Sequence, residues 1–147
     1  EFNGISIADL VVILTDDDIK HDDSYEIPSR IIEACAYLGE VNVKVSKHTL
    51  EADLFRAGNE NFLKTIYLEI HPRSAGKWAD KIELPGTEID KKSSEFVFLI
   101  EDKKGELSQK ICEKIEAGET FIVPPHIVEA IQQLAEYNGP PECENGY

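Results

Sequence analysis

Three consecutive carboxylates, Asp16, Asp17 and Asp18, stand directly behind the aliphatic run Asp9-Leu-Val-Val-Ile-Leu-Thr15. A run of this kind is expected to form a strand buried on both faces of a parallel sheet. Open α/β sheets bind ligands at the carboxyl ends of their strands, so the acidic turn sits where chemistry is commonly done. A turn there can bring Asp16 and Asp18 to one hard cation such as Mg²⁺, whereas Asp17 is expected to point elsewhere and to tolerate replacement. The plainer alternative is a solvated acidic turn. Glu51 lies just past a second short strand, in the first turn of an expected helix; the helix dipole alone favours an acid there by roughly 0.3–1 kcal/mol. If the two strands are parallel neighbours, Glu51 and the aspartates leave the same sheet edge and can share one or two cations. Lys104 precedes a glycine at a helix start, where the dipole does not favour a cation. It is either a surface residue of a Lys-Lys-Gly turn or a group that stabilises charge in phosphoryl transfer.

The elements that must position these residues follow from periodicity. Pro28 suits a helix start, Ile31, Ile32, Cys35 and Leu38 form an apolar stripe, and Gly39 is placed to end the helix. Val41 to Val45 alternates as a strand does, and Thr49 caps a helix carrying Leu50, Leu54 and Ala57 on one side. Gly58-Asn59 breaks that helix, and Asn59 can cap the next, with Phe62, Ile66 and Ile70 on its apolar face before Pro72 stops it. A short helix is expected from Ala75 to Ile82. Residues Leu84 to Ser94 read as a surface connection, and Glu95 to Ile100 suits either a strand or a buried helix. Leu107, Ile111 and Ile115, and then Ile127, Ile131 and Leu134 after Pro124-Pro125, define two amphipathic helices. The order strand, helix, strand, helix predicts an α/β fold, with residues 138–147 a flexible tail.

The chain has 147 residues, 41% hydrophobic and 30% charged, enough apolar material for one ordinary core. Its net charge of −14 argues against tight binding to phosphate backbones, although Lys44 to His48 and His71 to Lys77 are locally basic. No apolar run approaches the roughly 20 residues of a membrane helix, and the opening residues lack the regions of a signal peptide, so a cytoplasmic protein without membrane contact is expected. Cys35, Cys112 and Cys143 show no C-x-x-C spacing; the first two fall in helical apolar patterns and read as core residues. His21, His48, His71 and His126 are scattered as surface or capping residues are, without zinc-site spacing. There is no G-x-x-x-x-G-K-[ST] loop and no G-x-S-x-G elbow, so neither an ATP-binding module nor a serine hydrolase is expected.

In combination, LVVILTDDD resembles the aspartate motif of TOPRIM domains, and VSKHTLEADLFRAGN resembles the strand and T-L-E-x-D-L block of the OLD family of ATP-dependent endonucleases. KKGELSQKI with FIVPPHIVEAI resembles that family's K-G helix and closing helix. Together these segments cover most of residues 8 to 137 in the family's order. The resemblance, which extends to Gabija-type defence nucleases, implies a TOPRIM-like parallel sheet flanked by helices, with extra C-terminal helices. It implies metal-binding carboxylates at Asp16, Asp18 and Glu51, a catalytic Lys104, and Mg²⁺ or Mn²⁺ as cofactor. It also implies DNA as substrate, an ABC-type ATPase domain on the same polypeptide, homo-oligomers in the full-length form, and a role in phage defence. TOPRIM domains begin with a strand ending in a V-E-G-like glutamate, then a helix. The stretch before Asp9 is too short for these, and Glu1 is not assigned that role, so residues 1–137 read as a partial TOPRIM nuclease domain. Two functional expectations follow: a metal-dependent endonuclease hydrolysing phosphodiesters through Mg-activated water, or a catalytically incomplete TOPRIM-like module that binds or inhibits protein. An acidic mimic of DNA fits less well, because the acids of Glu106 to Glu116 are mixed with lysines.

Overall fold

In the computed structural model, residues 8, 10–20, 24 and 26–139 are described. Strand β1 (Ile13–Asp16) leads through helix α1 (Ser29–Leu38) and a 3₁₀ turn (Glu40–Asn42) to β2 (Val43–Ser46). Five helices follow, α2 (Leu50–Arg56), α3 (Glu60–Ile70), α4 (Ala75–Lys81), α5 (Ile89–Leu99) and α6 (Lys104–Glu116), and α7 (Pro125–Ala135) is the last element among the described residues. The fold is a small α/β arrangement in which β1 and β2 pair in parallel, Ile13 opposite Val43 and Asp16 opposite Ser46. No helix among the described residues is long and apolar enough to cross a membrane.

Local signals explain several boundaries. Gly39, at φ 83°, ends α1 with its N–H on the Cys35 carbonyl, a backbone region that favours glycine. The Thr49 hydroxyl accepts from the Ala52 N–H and caps α2. Asn59 stands at the start of α3, but its side chain does not cap that helix. Its Nδ2 donates to the Leu54 and Ile122 carbonyls, both at 2.8 Å, and its Oδ1 accepts from the Ile122 N–H at 2.9 Å. This buried amide therefore ties the segment before α7 to the α2–α3 corner.

The core is helical rather than sheet-centred. Phe55, Leu63, Ile66, Tyr67, Trp78, Ile82, Phe96, Ile100, Leu107 and Ile111 pack together from α2 through α6 and the residues that follow α4 and α5. Phe55 and Phe96 stack at 5.3 Å, and Tyr67 meets Trp78 at the same separation. Full burial contributes roughly 1.5–3 kcal/mol for each large apolar side chain, so this cluster anchors α2, and with it the loop that carries the candidate site.

Four expectations are corrected. The buried face of α2 centres on Ala52 and Phe55, with Leu54 packed partly buried against the same core and Leu50 left exposed, because α2 packs chiefly on α5. The Leu84 to Ser94 connection shortens, since α5 begins at Ile89 and buries Ser93, Phe96 and Val97; Glu95 to Leu99 is therefore helix. Cys112 is exposed on α6 instead of lying in the core, and Cys35 is half-buried; Cys143 lies outside the described residues, as does His21. The aliphatic run before Asp16 is not buried on both faces: Leu14 keeps 51% of its surface exposed, since among the described residues β1 has one strand neighbour.

Helix α7 shows the most consequential departure. His126, Ala130 and Gln133 turn inward, Gln133 donating to Asn42 and His126 meeting Ser46. The aliphatic stripe read from the sequence is left outside, with Ile131 59% and Leu134 50% exposed and Ile127 half-buried. A helix has room for both stripes because residues 126, 130 and 133 sit one step around from 127, 131 and 134.

Candidate functional site

Pairing continues past the strand ends. The Asp17 N–H donates to the Ser46 carbonyl and the Asp18 N–H to the His48 carbonyl, each at 3.0 Å, so the acidic turn and the loop leading to Glu51 leave the sheet side by side. Both loops bend sharply: Asp18 and His48 take φ of 56° and 71°, in the left-handed region that side chains rarely enter. Asp17 supplies the compensation. It is only 7% exposed, and its Oδ1 accepts from the His48 N–H at 2.6 Å and the Ile19 N–H at 3.0 Å. Asp17 does point away from the Asp16 and Asp18 carboxylates, as expected, but it is buried and bonded as the pin between the two loops, which argues against free replacement.

Asp16 and Asp18 are joined by a cation from α1. Arg30 Nη2 donates to Asp18 Oδ2 at 2.6 Å and to the Asp16 carbonyl at 2.8 Å, and lies 3.6 Å from Asp16 Oδ1. Glu51 is engaged separately, by Lys104 Nζ at 3.1 Å from the start of α6. Burial pushes the Glu51 carboxyl up, but its own backbone N–H, the Thr49 hydroxyl and Lys104 together hold it below the ordinary carboxylate value. His48 is held below the ordinary imidazole value by burial and by the positive charge of Arg56, with Asp17 acting in the opposite sense. Its buried Nδ1 has no hydrogen-bond partner among the described residues.

The four residues singled out from the sequence thus lie at one end of the sheet as two pairs: Asp16 with Asp18 through Arg30, and Glu51 with Lys104. Their oxygen donors are of the type that Mg²⁺ or Mn²⁺ takes. Arg30 engages Asp16 and Asp18, and Lys104 engages Glu51. Among the described residues no three Asp, Glu, His or Cys side chains form a group that could hold a metal ion.

Beside the acidic turn, an open cleft of ≈ 360 Å³ is lined by Leu14, Thr15, Asp16, Ser46, Leu50, His126 and Ile127. Here His126 Nε2 lies 2.9 Å from Ser46 Oγ, and His126 Nδ1 lies 3.6 Å from Asp53 Oδ2. Arg30, Ser46 and Asp53 were not singled out from the sequence, and His126 was read there only as a surface or capping residue. Ser46 and His126 are 80 positions apart, and no local spacing signals their meeting. No family model, curated protein or solved structure matches the chain.

Proposed function

We propose that this chain is a TOPRIM-like module that acts by binding protein, within a larger assembly or as an inhibitor, and that the outward stripe of α7 is its contact surface. The observation that carries this reading is the orientation of α7, which spends its polar and small residues on the sheet and leaves Ile131 and Leu134 in water. Leu14, Leu50 and Ile127 extend the apolar surface into the neighbouring cleft. Contiguous exposed aliphatic surface of this kind marks interaction sites, and an amphipathic helix is a common recognition element. Covering the exposed halves of Ile131 and Leu134 contributes about 2 kcal/mol, or roughly 30-fold in Kd. The pairing of every candidate metal carboxylate with an internal cation supports the same reading. With a net charge of −14, a partner with a basic rim around an apolar centre is favoured.

The test uses a synthetic amphipathic helix with a leucine seam and flanking lysines, titrated calorimetrically. Binding is expected to weaken as salt rises and to fall more than about 30-fold in an Ile131→Glu, Leu134→Glu double variant. Equal affinity for the double variant would overturn the assignment of the surface.

The metal-dependent endonuclease reading retains one observation in its favour: Asp16, Asp18, Glu51 and Lys104 stand at the same end of a parallel strand pair. Nicking of supercoiled plasmid with Mn²⁺, abolished by Asp16→Asn and by Lys104→Ala, would establish it in place of the binding reading.

A further inference from the structure

Ser46, Asp53 and His126 meet in an arrangement that the protein-binding reading does not use, although the aliphatic wall of the cleft beside them is shared with the proposed contact surface. Ser46 is the last residue of β2, at the carboxyl end of a parallel strand, followed by a tight turn with His48 at φ 71° and then α2. A strand, sharp turn and helix is the setting in which α/β hydrolases present a nucleophilic serine, and the chain order serine, aspartate, histidine is the order they use. The glycines of the G-x-S-x-G elbow are absent, yet such constellations are recognised by geometry and roles rather than by motif.

The two imidazole nitrogens are used in the required sense. Nε2 faces the hydroxyl at 2.9 Å, and Nδ1 faces the carboxylate at 3.6 Å. The second distance is in ion-pair range, and contacts of this type commonly tighten only when substrate is bound. Asp53 is itself fixed: Oδ1 accepts from Arg56 Nη1 at 2.8 Å and Oδ2 from the Lys47 N–H at 3.3 Å. Ser46 is 4% exposed, and the surface it shows lines the ≈ 360 Å³ cleft, together with His126. A cleft of that size suits a small molecule, its walls are aliphatic at Leu14, Leu50 and Ile127, and the Asp16 carboxylate disfavours an anion.

We propose that Ser46 is a nucleophile, with His126 as its general base and Asp53 orienting the imidazole, that accepts acyl groups from small neutral esters with short apolar chains. Ser46 Oγ bonds to the ester carbonyl carbon as its proton passes to His126 Nε2. The carbon–oxygen bond to the alcohol breaks, and His126 returns the proton to the departing alkoxide. Water then attacks the acyl-serine, giving a proton to His126 Nε2; the bond from the acyl carbon to Ser46 Oγ breaks, His126 returns that proton to Oγ, and the carboxylic acid leaves.

The purified chain is treated with a fluorophosphonate probe and the modified peptide identified by mass spectrometry, alongside hydrolysis of p-nitrophenyl butyrate. One label per chain on Ser46 is expected, absent in Ser46→Ala, with labelling and hydrolysis at least about 100-fold slower in His126→Gln, the range for loss of a general base. A Ser46→Cys variant is the second readout: iodoacetamide should alkylate position 46 faster than Cys35, and His126→Gln should remove that advantage. Unlabelled Ser46 in folded protein, labelling unaffected by His126→Gln, or a position-46 thiol indifferent to His126 would each overturn the proposal and leave the hydrogen bond as a latch holding α7 to β2.

Discussion

Asn59→Ala removes three hydrogen bonds at one buried point: two from Nδ2, to Leu54 and Ile122, and one accepted by Oδ1 from Ile122. Each neutral hydrogen bond contributes about 1 kcal/mol net, and a partner left unsatisfied adds to the cost. Ile122 is itself exposed, so water reaches part of its freed backbone, and the expected loss is about 2 kcal/mol. Asn59→Asp is the sharper perturbation, because it sets a carboxylate oxygen against two carbonyls that now lie 2.8 Å from a donor. Its cost should reach about 3 kcal/mol or more, since an unpaired charge in a buried place adds to the lost bonds. Urea unfolding followed by far-ultraviolet circular dichroism measures both. With a slope of about 2 kcal/mol per molar urea, Asn59→Ala lowers the midpoint by about 1 M. Because Ile122 leads directly into Pro124 and α7, amide exchange along α7 should quicken in both variants. A loss under about 0.5 kcal/mol for Asn59→Ala, or an aspartate variant more stable than the alanine one, would show that the Asn59 amide does not hold the segment before α7 to the α2–α3 corner.

Three further outcomes follow from the same geometry. Asp17→Ala should destabilise by about 2–4 kcal/mol, because two backbone N–H groups lose a charged acceptor while His48 stays in a left-handed conformation; Asp17→Asn, which keeps an acceptor, should cost about 1 kcal/mol, both read by urea unfolding. The folded Glu51 carboxyl lies below its ordinary value of 4.5, so its stabilisation is present above that pH and is lost as pH falls through the lower, folded value. The urea midpoint should therefore fall less steeply below pH 4.5 in Glu51→Gln than in the parent, and in Lys104→Met should move part of the way toward the Gln variant. On α7, Ala130→Leu should cost about 1–3 kcal/mol by overpacking against the sheet, whereas Ile131→Lys should change thermal stability by less than about 0.5 kcal/mol.

Much of the fold was legible wherever one residue dictates local backbone. Gly39 at the end of α1, Thr49 at the start of α2 and the strand pair with its intervening helix all follow from such signals. Glu95 to Ile100 was not legible, because a short run of aromatic and β-branched residues is apolar in a strand and a buried helix alike; its resolution came from Phe96 meeting Phe55 of α2 and Trp78 of α4. Periodicity located α7 but misassigned its buried face. An apolar stripe says which side of a helix avoids water, and says nothing of whether the rest of the chain supplies a surface to cover it; Asn42, Lys44 and Ser46 instead offered polar partners to the adjacent face. For the site, strand ends and turn chemistry brought out Asp16, Asp18 and Glu51. The cations that engage them come from Arg30 and Lys104 on other helices, and the Ser46–His126 contact depends on the whole of α7 docking across the sheet. Such contacts are set by packing between distant segments, which no window of sequence contains.

On the proposed function, the outward face of α7 is covered by another protein in the cell. A photocrosslinking amino acid is placed at Ile131, 59% exposed, with Ile89 on α5, 47% exposed, as the control, in the cells that make the chain. Irradiation is expected to join one discrete protein to position 131 and none to position 89, with the adduct lost on adding Leu134→Glu. Absence of any adduct at position 131, or the same adducts at both positions, would contradict it.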